Sequence, residues 1–216
     1  MTDYPNVEPE WARITRWLEK NAPVSYQSLL PPTGDEEVRT DEEQLRQWLG
    51  HGFPEDLKVL WRVCGGTEYV EVEGDEEGEL RPDMFLPGGV LLGPKQAAMT
   101  RLSFNWPDTE WPRAWVAWLG EDQEGALVGR YVDASEGPGS GGEGQWSAHS
   151  GPEMSAPEFP SVGSCLSAVA EALESGNGPF VSRRGPCLPG VVKGCLVWEH
   201  PDSPAVDGWE PFHPIA

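Results

Sequence analysis

Positive charge is scarce in this chain. Lys and Arg total 15 against 36 Asp and Glu, a formal net charge of −21. A surface of that sign repels nucleic-acid phosphate and anionic membranes, so neither is expected as a partner. Two readings of the acid excess stay open: plain surface solvation, or attraction of a cationic partner. Long apolar runs are missing as well. No stretch of eighteen apolar residues occurs, and no basic-then-apolar segment opens the chain. The expectation is a cytoplasmic protein with reduced thiols.

Cysteine and histidine are few and poorly spaced for chemistry. Cys64, Cys165, Cys187 and Cys195 form no C-x-x-C pair. Cys64 and Cys165 fall at apolar positions of expected helices, where a free Cys acts as a small hydrophobe. A Cys187–Cys195 disulfide closing a small loop is the alternative, and it would argue against a reducing compartment. His51, His149, His200 and His213 are scattered, with no pair at metal-ligand spacing and none beside a Cys. No metal and no cofactor is therefore expected. A G-x-S-x-G elbow is absent. Catalytic triads assemble in space, so a hydrolase using His149, His200 or His213 stays as an alternative, but no catalytic residue is assigned.

Two segments imitate binding loops and lack what those loops need. Gly139–Gly144 reads GSGGEG. A phosphate loop needs a preceding strand, a following helix and usually a Lys. Here the following residues, Gln145–His149, are strand-like, and Glu143 would repel phosphate. The reading is a flexible hairpin connection. Glu71–Glu79 holds Glu71, Glu73, Asp75, Glu76, Glu77 and Glu79 without the D-x-[DN]-x-[DN]-G spacing of a calcium loop. It is either a solvated turn or a contact for a cationic partner, since clustered carboxylates steer basic proteins. The candidate partner-binding residues are Glu71, Glu73, Asp75, Glu76 and Glu77. Trp106 and Trp111 join them, because Pro107 and Pro112 place these two tryptophans in a loop. Packing of that loop onto a sheet is the competing account.

What is present reads as α+β. Gly 26 and Pro 22 favour many turns, and eleven Trp residues supply large burial per side chain. A helix is expected from Pro9 to about Lys20, with Trp11, Ile14 and Leu18 inward. Thr33 with Glu36 makes a small capping box. Thr40 with Glu43 makes a better one, opening a helix with Leu45, Trp48 and Leu49 on its apolar face and Gly50 as its stop. Pro54 opens the clearest helix, to Cys64, with Leu57, Leu60, Trp61 and Cys64 at i, i+3, i+4, i+7. Glu55 and Asp56 suit its N-terminal dipole, and Gly65 and Gly66 its left-handed stop.

From Thr67 the period changes to two, and Tyr69, Val70 and Val72 read as a half-exposed strand. Met84–Leu86, Val90–Leu92, Trp115–Leu119, Leu127–Asp133, Gln145–His149 and Val191–Trp198 are further expected strands. Pro94 opens a helix to about Leu102. Ser161 caps a helix whose stripe is Val162, Cys165, Leu166, Val169 and Leu173, stopped by Gly176. Helices, then antiparallel strands, then a helix argue α+β over a doubly wound sheet.

The succession Glu42-Glu43, Leu45, Leu49-Gly50, Phe53-Pro54-Glu55-Asp56-Leu57, Leu60 and Gly65-Gly66 resembles the core pattern of the SMI1/KNR4 (SUKH) superfamily. Phe53 stands where that family usually has Leu, and Cys64 where it has a polar residue. Leu29-Leu30-Pro31-Pro32 is similar to the family's entry into its second helix. Tyr131-Val132-Asp133 with Gly142, Gly144 and Gln145 resembles its later strand and Gly-x-x-Gly-Gln run. The resemblance covers about Pro9 to Gly178. It implies a SUKH-like domain at 9–178, after a loose tail at 1–8, with residues 179–216 as a C-terminal extension of strand plus loop. Helices would pack on a mostly antiparallel sheet. It also implies a non-catalytic binding protein. Bacterial members of the family serve as immunity proteins against toxins, many of them nucleases, and fungal members act as regulators. The expectation is an immunity protein that neutralises a basic toxin. A regulatory scaffold for an endogenous partner is the alternative.

Overall fold

The computed structural model describes residues 4–103, 112, 114–121, 128–136, 140–147, 157–182, 187–202 and 204–213. Helix α1 (Val7–Asn21) starts two residues before Pro9, and Val7 is already buried. The tail is thus shorter than expected. Trp11, Ile14 and Leu18 face the core, joined by Trp17. A short α2 (Pro23–Gln27) follows.

Helix α3 (Asp35–Leu49) begins five residues before Thr40, with Gly34 as its N-cap. Both capping-box expectations are corrected. Asp35, Glu36 and Glu37 place three acids in the first turn, where the helix dipole favours them. Val38 and Leu45 bury on one side, seven residues apart. Thr40 lies inside the helix and donates its hydroxyl to the Glu36 carbonyl at 2.8 Å. Gly50 closes α3 in the left-handed conformation, as its position suggests. The side chains of Trp48, Leu49 and Leu102 lie outside the described set.

Helix α4 spans Glu55–Trp61. Pro54 is its N-cap, one place outside the first helical position that the sequence suggests. The helix also stops three residues before Cys64. The Trp61 carbonyl is taken by the Thr33 backbone N–H at 2.8 Å, so the incoming loop ends the helix early. Leu57, Leu60, Trp61 and Cys64 are all buried nonetheless. Asp56 does more than suit the α4 dipole. Its carboxylate accepts from the backbone N–H groups of Val162 and Gly163, tying α4 to the start of a later helix.

The expected strand at Tyr69–Val72 is absent. Thr67 and Glu68 bond to Leu91 and Ser28, and residues 68–72 belong to no strand. Thr67 is bridged to Leu29, and its hydroxyl accepts from the Leu91 N–H at 3.0 Å. Met84–Leu86 is not a strand either. Pro82–Met84 forms one 3-10 turn.

Five antiparallel strands make one sheet in the order β1 (Val90–Leu91), β2 (Trp115–Gly120), β3 (Val128–Asp133), β4 (Glu143–Ser147), β5 (Pro157–Phe159). All six residues of β2 are buried. Successive side chains of a strand point to opposite faces, so both faces of β2 are covered. Trp115 stacks on Tyr131 of β3 with centroids 3.7 Å apart. Strand β4 starts at Glu143, inside the segment read as a loop. Helix α5 (Pro94–Ser103) lies between β1 and β2 in sequence.

Helix α6 (Val162–Ser175) has the expected Ser161 cap, whose hydroxyl accepts from the Ser164 N–H at 3.0 Å, and the expected Gly176 stop. Gly163 is required by a close approach: a Cβ there would lie 1.9 Å from the Pro5 carbonyl oxygen. A short α7 (Pro179–Ser182) follows.

The single strand expected at Val191–Trp198 is a hairpin instead, β6 (Leu188–Val192) and β7 (Cys195–Glu199). Lys193 and Gly194 form its turn, both at positive φ (48° and 80°), which suits the right-handed twist of two adjoining strands. The register pairs Val192 with Cys195, and Cys187 lies beyond the Leu188–Glu199 pair at the far end. Both thiols are free, so the Cys187–Cys195 disulfide is excluded. Burial pushes the Cys64 and Cys195 thiols up to about 11.

The main core joins α1, α3, α4, α6 and the large sheet. A second, small core gathers Leu188, Val192, Cys195 and Trp209 around Val72 and Leu80. Among the described residues, no helix is long and apolar enough to cross a membrane.

Candidate functional site

Residues 71–79 owe their placement to alternation without pairing. Val72 and Leu80 sink into the small C-terminal core, and the acids between them stay outside. Glu71, Glu73, Glu76, Glu77 and Glu79 are exposed, while Asp75 is half-buried. Asp75 differs in role as well as exposure. Its carboxylate accepts from the Leu80 N–H at 2.9 Å and the Glu79 N–H at 3.3 Å, holding the turn closed. Lys193, at the tip of the β6–β7 hairpin, donates its ammonium to the Gly74 carbonyl. The hairpin therefore grips the turn from one side. A shallow depression of about 430 Å³ is lined by Glu71, Val72, Glu73, Gly74, Asp75 and Glu76. Four of the five candidate acids thus share one open surface, and Glu77 adjoins it.

Trp106 and Trp111, the other two candidates, lie outside the described residues. So does His149. The three described histidines hold backbone groups in separate places. His51 Nδ1 meets the Gly52 carbonyl at 3.2 Å, His200 Nδ1 accepts from the Asp202 N–H at 3.2 Å, and a His213 ring nitrogen meets the Leu173 carbonyl at 2.8 Å. Among the described residues, no group of three or more His, Cys, Asp or Glu side chains could hold a metal ion.

A second cleft, about 620 Å³, brings together segments distant in sequence. Gly50 and Phe53–Asp56 line one side, and Asp133, Ala134 and Gly141 the other. These are the segments around which the motif residues cluster. The cleft is charged with both signs. Glu42 spans it internally, accepting from the Phe53 N–H at 3.2 Å, from Arg46 at 3.2 Å and from Lys58 at 3.4 Å. Arg46 and Lys58 are thus committed to Glu42, while Asp133 on the facing wall accepts from the Ser135 N–H at 2.8 Å.

The feature that sequence reasoning missed lies inside the sheet. Arg130 of β3 and Glu143 of β4 are both fully buried and form a two-pronged ion pair. The Arg130 Nη2 also donates to Glu158 at 3.0 Å, and the Trp118 indole N–H donates to Glu143 at 3.1 Å. The guanidinium lies over the rings of Phe159 and Phe180, 5.6 and 5.5 Å from their centroids. Burial pushes the Glu143 carboxyl above its usual range, against the pull of Arg130 and Trp118. Cys165 packs beside it, and burial next to that carboxylate raises its thiol as well. Glu143 follows glycines in sequence and so looks like a loop acid. The available signal was Arg130, a lone cation inside the expected strand at Leu127–Asp133.

A comparison with protein-family models finds no match, and a comparison with curated proteins finds none. The site presents exposed carboxylates on a turn beside a small hairpin core.

Proposed function

We propose that this chain is a SMI1/KNR4-like binding protein of the cytoplasm, without catalytic activity, that neutralises a basic, nuclease-type protein toxin by covering its active site. The observation that carries the reading is the acidic turn. Glu71, Glu73, Glu76 and Glu77 project from a segment held by Asp75, Lys193 and the buried Val72. A groove built to attract phosphate is attracted equally by carboxylates in a fixed array. Fixing the array beforehand lowers the ordering cost of association. The net charge of −21 adds long-range steering toward such a target.

The test is capture and rescue with one quadruple variant, Glu71→Gln, Glu73→Gln, Glu76→Gln and Glu77→Gln. Wild type should bind a basic protein that is toxic when expressed alone, and co-expression should restore growth. The variant should lose at least about tenfold in affinity at low salt, with the gap narrowing at high salt. Equal rescue by wild type and variant removes the acidic turn from the reading. Capture of housekeeping proteins alone, independent of salt, favours the regulatory scaffold instead.

A further inference from the structure

A groove of about 460 Å³ runs beside the acidic turn, between the β6–β7 hairpin and the β1–β2 end of the large sheet. Its wall carries Val128, Val197 and Trp198, with Leu86 beneath. Val128 is 39 % exposed although it sits on a strand of the main sheet. Trp198 is half-buried, and its indole N–H is already engaged by the Phe85 carbonyl at 2.8 Å. What it offers a ligand is ring surface. Glu79, Glu121 and Glu199 stand on the rim. Among the described residues, none of the three takes part in an ion pair. Among the described residues, the one cation lining the groove is Arg81, which is held by both oxygens of Asp83 at 3.0 and 3.1 Å. Among the described residues the groove therefore has an apolar aromatic wall and a rim of negative charge without an ion pair. Glu79 ends the acidic turn and begins this rim, so the two surfaces are continuous.

We infer that this groove is a docking site for a basic segment of a protein partner, seating the aliphatic stem of a Lys or Arg against Val128 and Trp198 with its charged head among Glu79, Glu121 and Glu199. Long basic side chains bury their stems on apolar surface and keep their heads at polar positions. An aromatic ring attracts a cation over its face, and nearby carboxylates add to that attraction. Glu199 Oε2 already accepts from the Ala205 N–H at 3.2 Å, but a purely apolar ligand would leave the negative charge of the rim unbalanced, and an anionic one would be repelled. The inference rests on the proposed function in assigning the basic segment to the toxin; the groove's preference for cations stands apart from it.

The experiment is a fluorescence-anisotropy titration of the full chain with a labelled decapeptide of alternating arginine and leucine, and with a leucine–glutamate peptide as the control. Three variants run beside wild type. Val128→Trp fills the groove at unchanged net charge. Glu121→Gln with Glu199→Gln neutralises the rim. Glu36→Gln with Glu37→Gln removes the same charge on α3, far along the chain. Thermal unfolding verifies that each variant folds. The arginine peptide should bind wild type, and the first two variants should each weaken it by at least about tenfold, against less than about twofold for the α3 pair. Equal weakening by both charge-neutralised pairs, unchanged binding to a folded Val128→Trp, or no wild-type binding at about 0.1 M salt each overturns the groove. Co-expression separates the two ideas. A Val128→Trp chain that still protects against the toxin removes the groove from toxin binding and leaves the proposed function standing. Peptide seated in the groove with no toxin neutralised does the reverse.

Discussion

Two sets of glutamates in this molecule have opposite fates. Glu143 is fully buried between strands, gripped by Arg130, Trp118 and its neighbours. Glu71, Glu73, Glu76 and Glu77 stand in solvent on a turn one Asp holds together. The side chains are identical in chemistry. What differs is the medium, and with it the sign of what each contributes. Inside the sheet a carboxylate is tolerable only while its cation stays in place, because removing one partner strands the other charge. On the turn the carboxylates cost little alone and contribute nothing to folding. Their worth is to a partner.

The comparison breaks first at Arg130. Arg130→Ala should lower stability by about 3–5 kcal/mol, since it leaves Glu143 buried and unpaired. Urea unfolding measures this. Adding Glu143→Leu to the same chain should recover part of that loss. A loss below about 1 kcal/mol for the single variant would mean that water reaches the pair.

Asp75 stands between the two sets, an acid of the turn with a structural task. Asp75→Ala should cost about 1 kcal/mol, as expected for losing a carboxylate that closes a turn on two backbone N–H groups. Urea unfolding and backbone amide exchange at Glu79 and Leu80 check it. If stability is unchanged, Asp75 belongs with the solvent-facing acids after all.

Glu174 sharpens the comparison from the surface side. Its carboxylate bridges α6 to Arg13 of α1, at 2.5 and 3.2 Å, and Arg13 holds its carboxyl below the usual range. A lowered folded value means that the contribution is present above the unfolded value. It is lost as pH falls through the lowered folded one. The pair is largely exposed, so the effect should be about 0.2–1 kcal/mol after screening. Glu174→Gln should therefore be less stable than wild type at neutral pH and equal to it in strong acid. Thermal melts across pH 2–7 measure the gap.

The smallest stability change belongs to the turn itself. The quadruple Gln variant should unfold within about 0.5 kcal/mol of wild type, because exposed side chains away from caps and cores contribute little. The same substitutions carry the largest expected effect on the proposed partner's association rate. A chain that lost stability and binding together would collapse the distinction between the two sets.

Local chemistry settles much of this protein before any tertiary contact is considered. Ser161 and Gly176 bracket α6 because a cap and a left-handed stop act within a few residues. Leu57, Leu60, Trp61 and Cys64 define a buried stripe whether or not the helix runs its full expected length. The α+β class follows from the order of elements, helices first, then strands from Val90 onward, then a helix after Ser161. The acidic turn is legible too, since only acids and glycine separate Val72 from Leu80. Tertiary structure decided the rest. It ended α4 at Trp61, because Thr33 takes that carbonyl. It left Tyr69–Val72 outside any strand, with Thr67 bridged to Leu29 and bonded to Leu91 just before it. It divided Val191–Trp198 into two strands and attached them to the turn. It moved Glu143 from an apparent loop into the core, beside an arginine thirteen residues earlier. Helix caps and turns read short-range geometry. Whether a charge is buried depends on which distant residue arrives to meet it, and that is set only when the sheet closes.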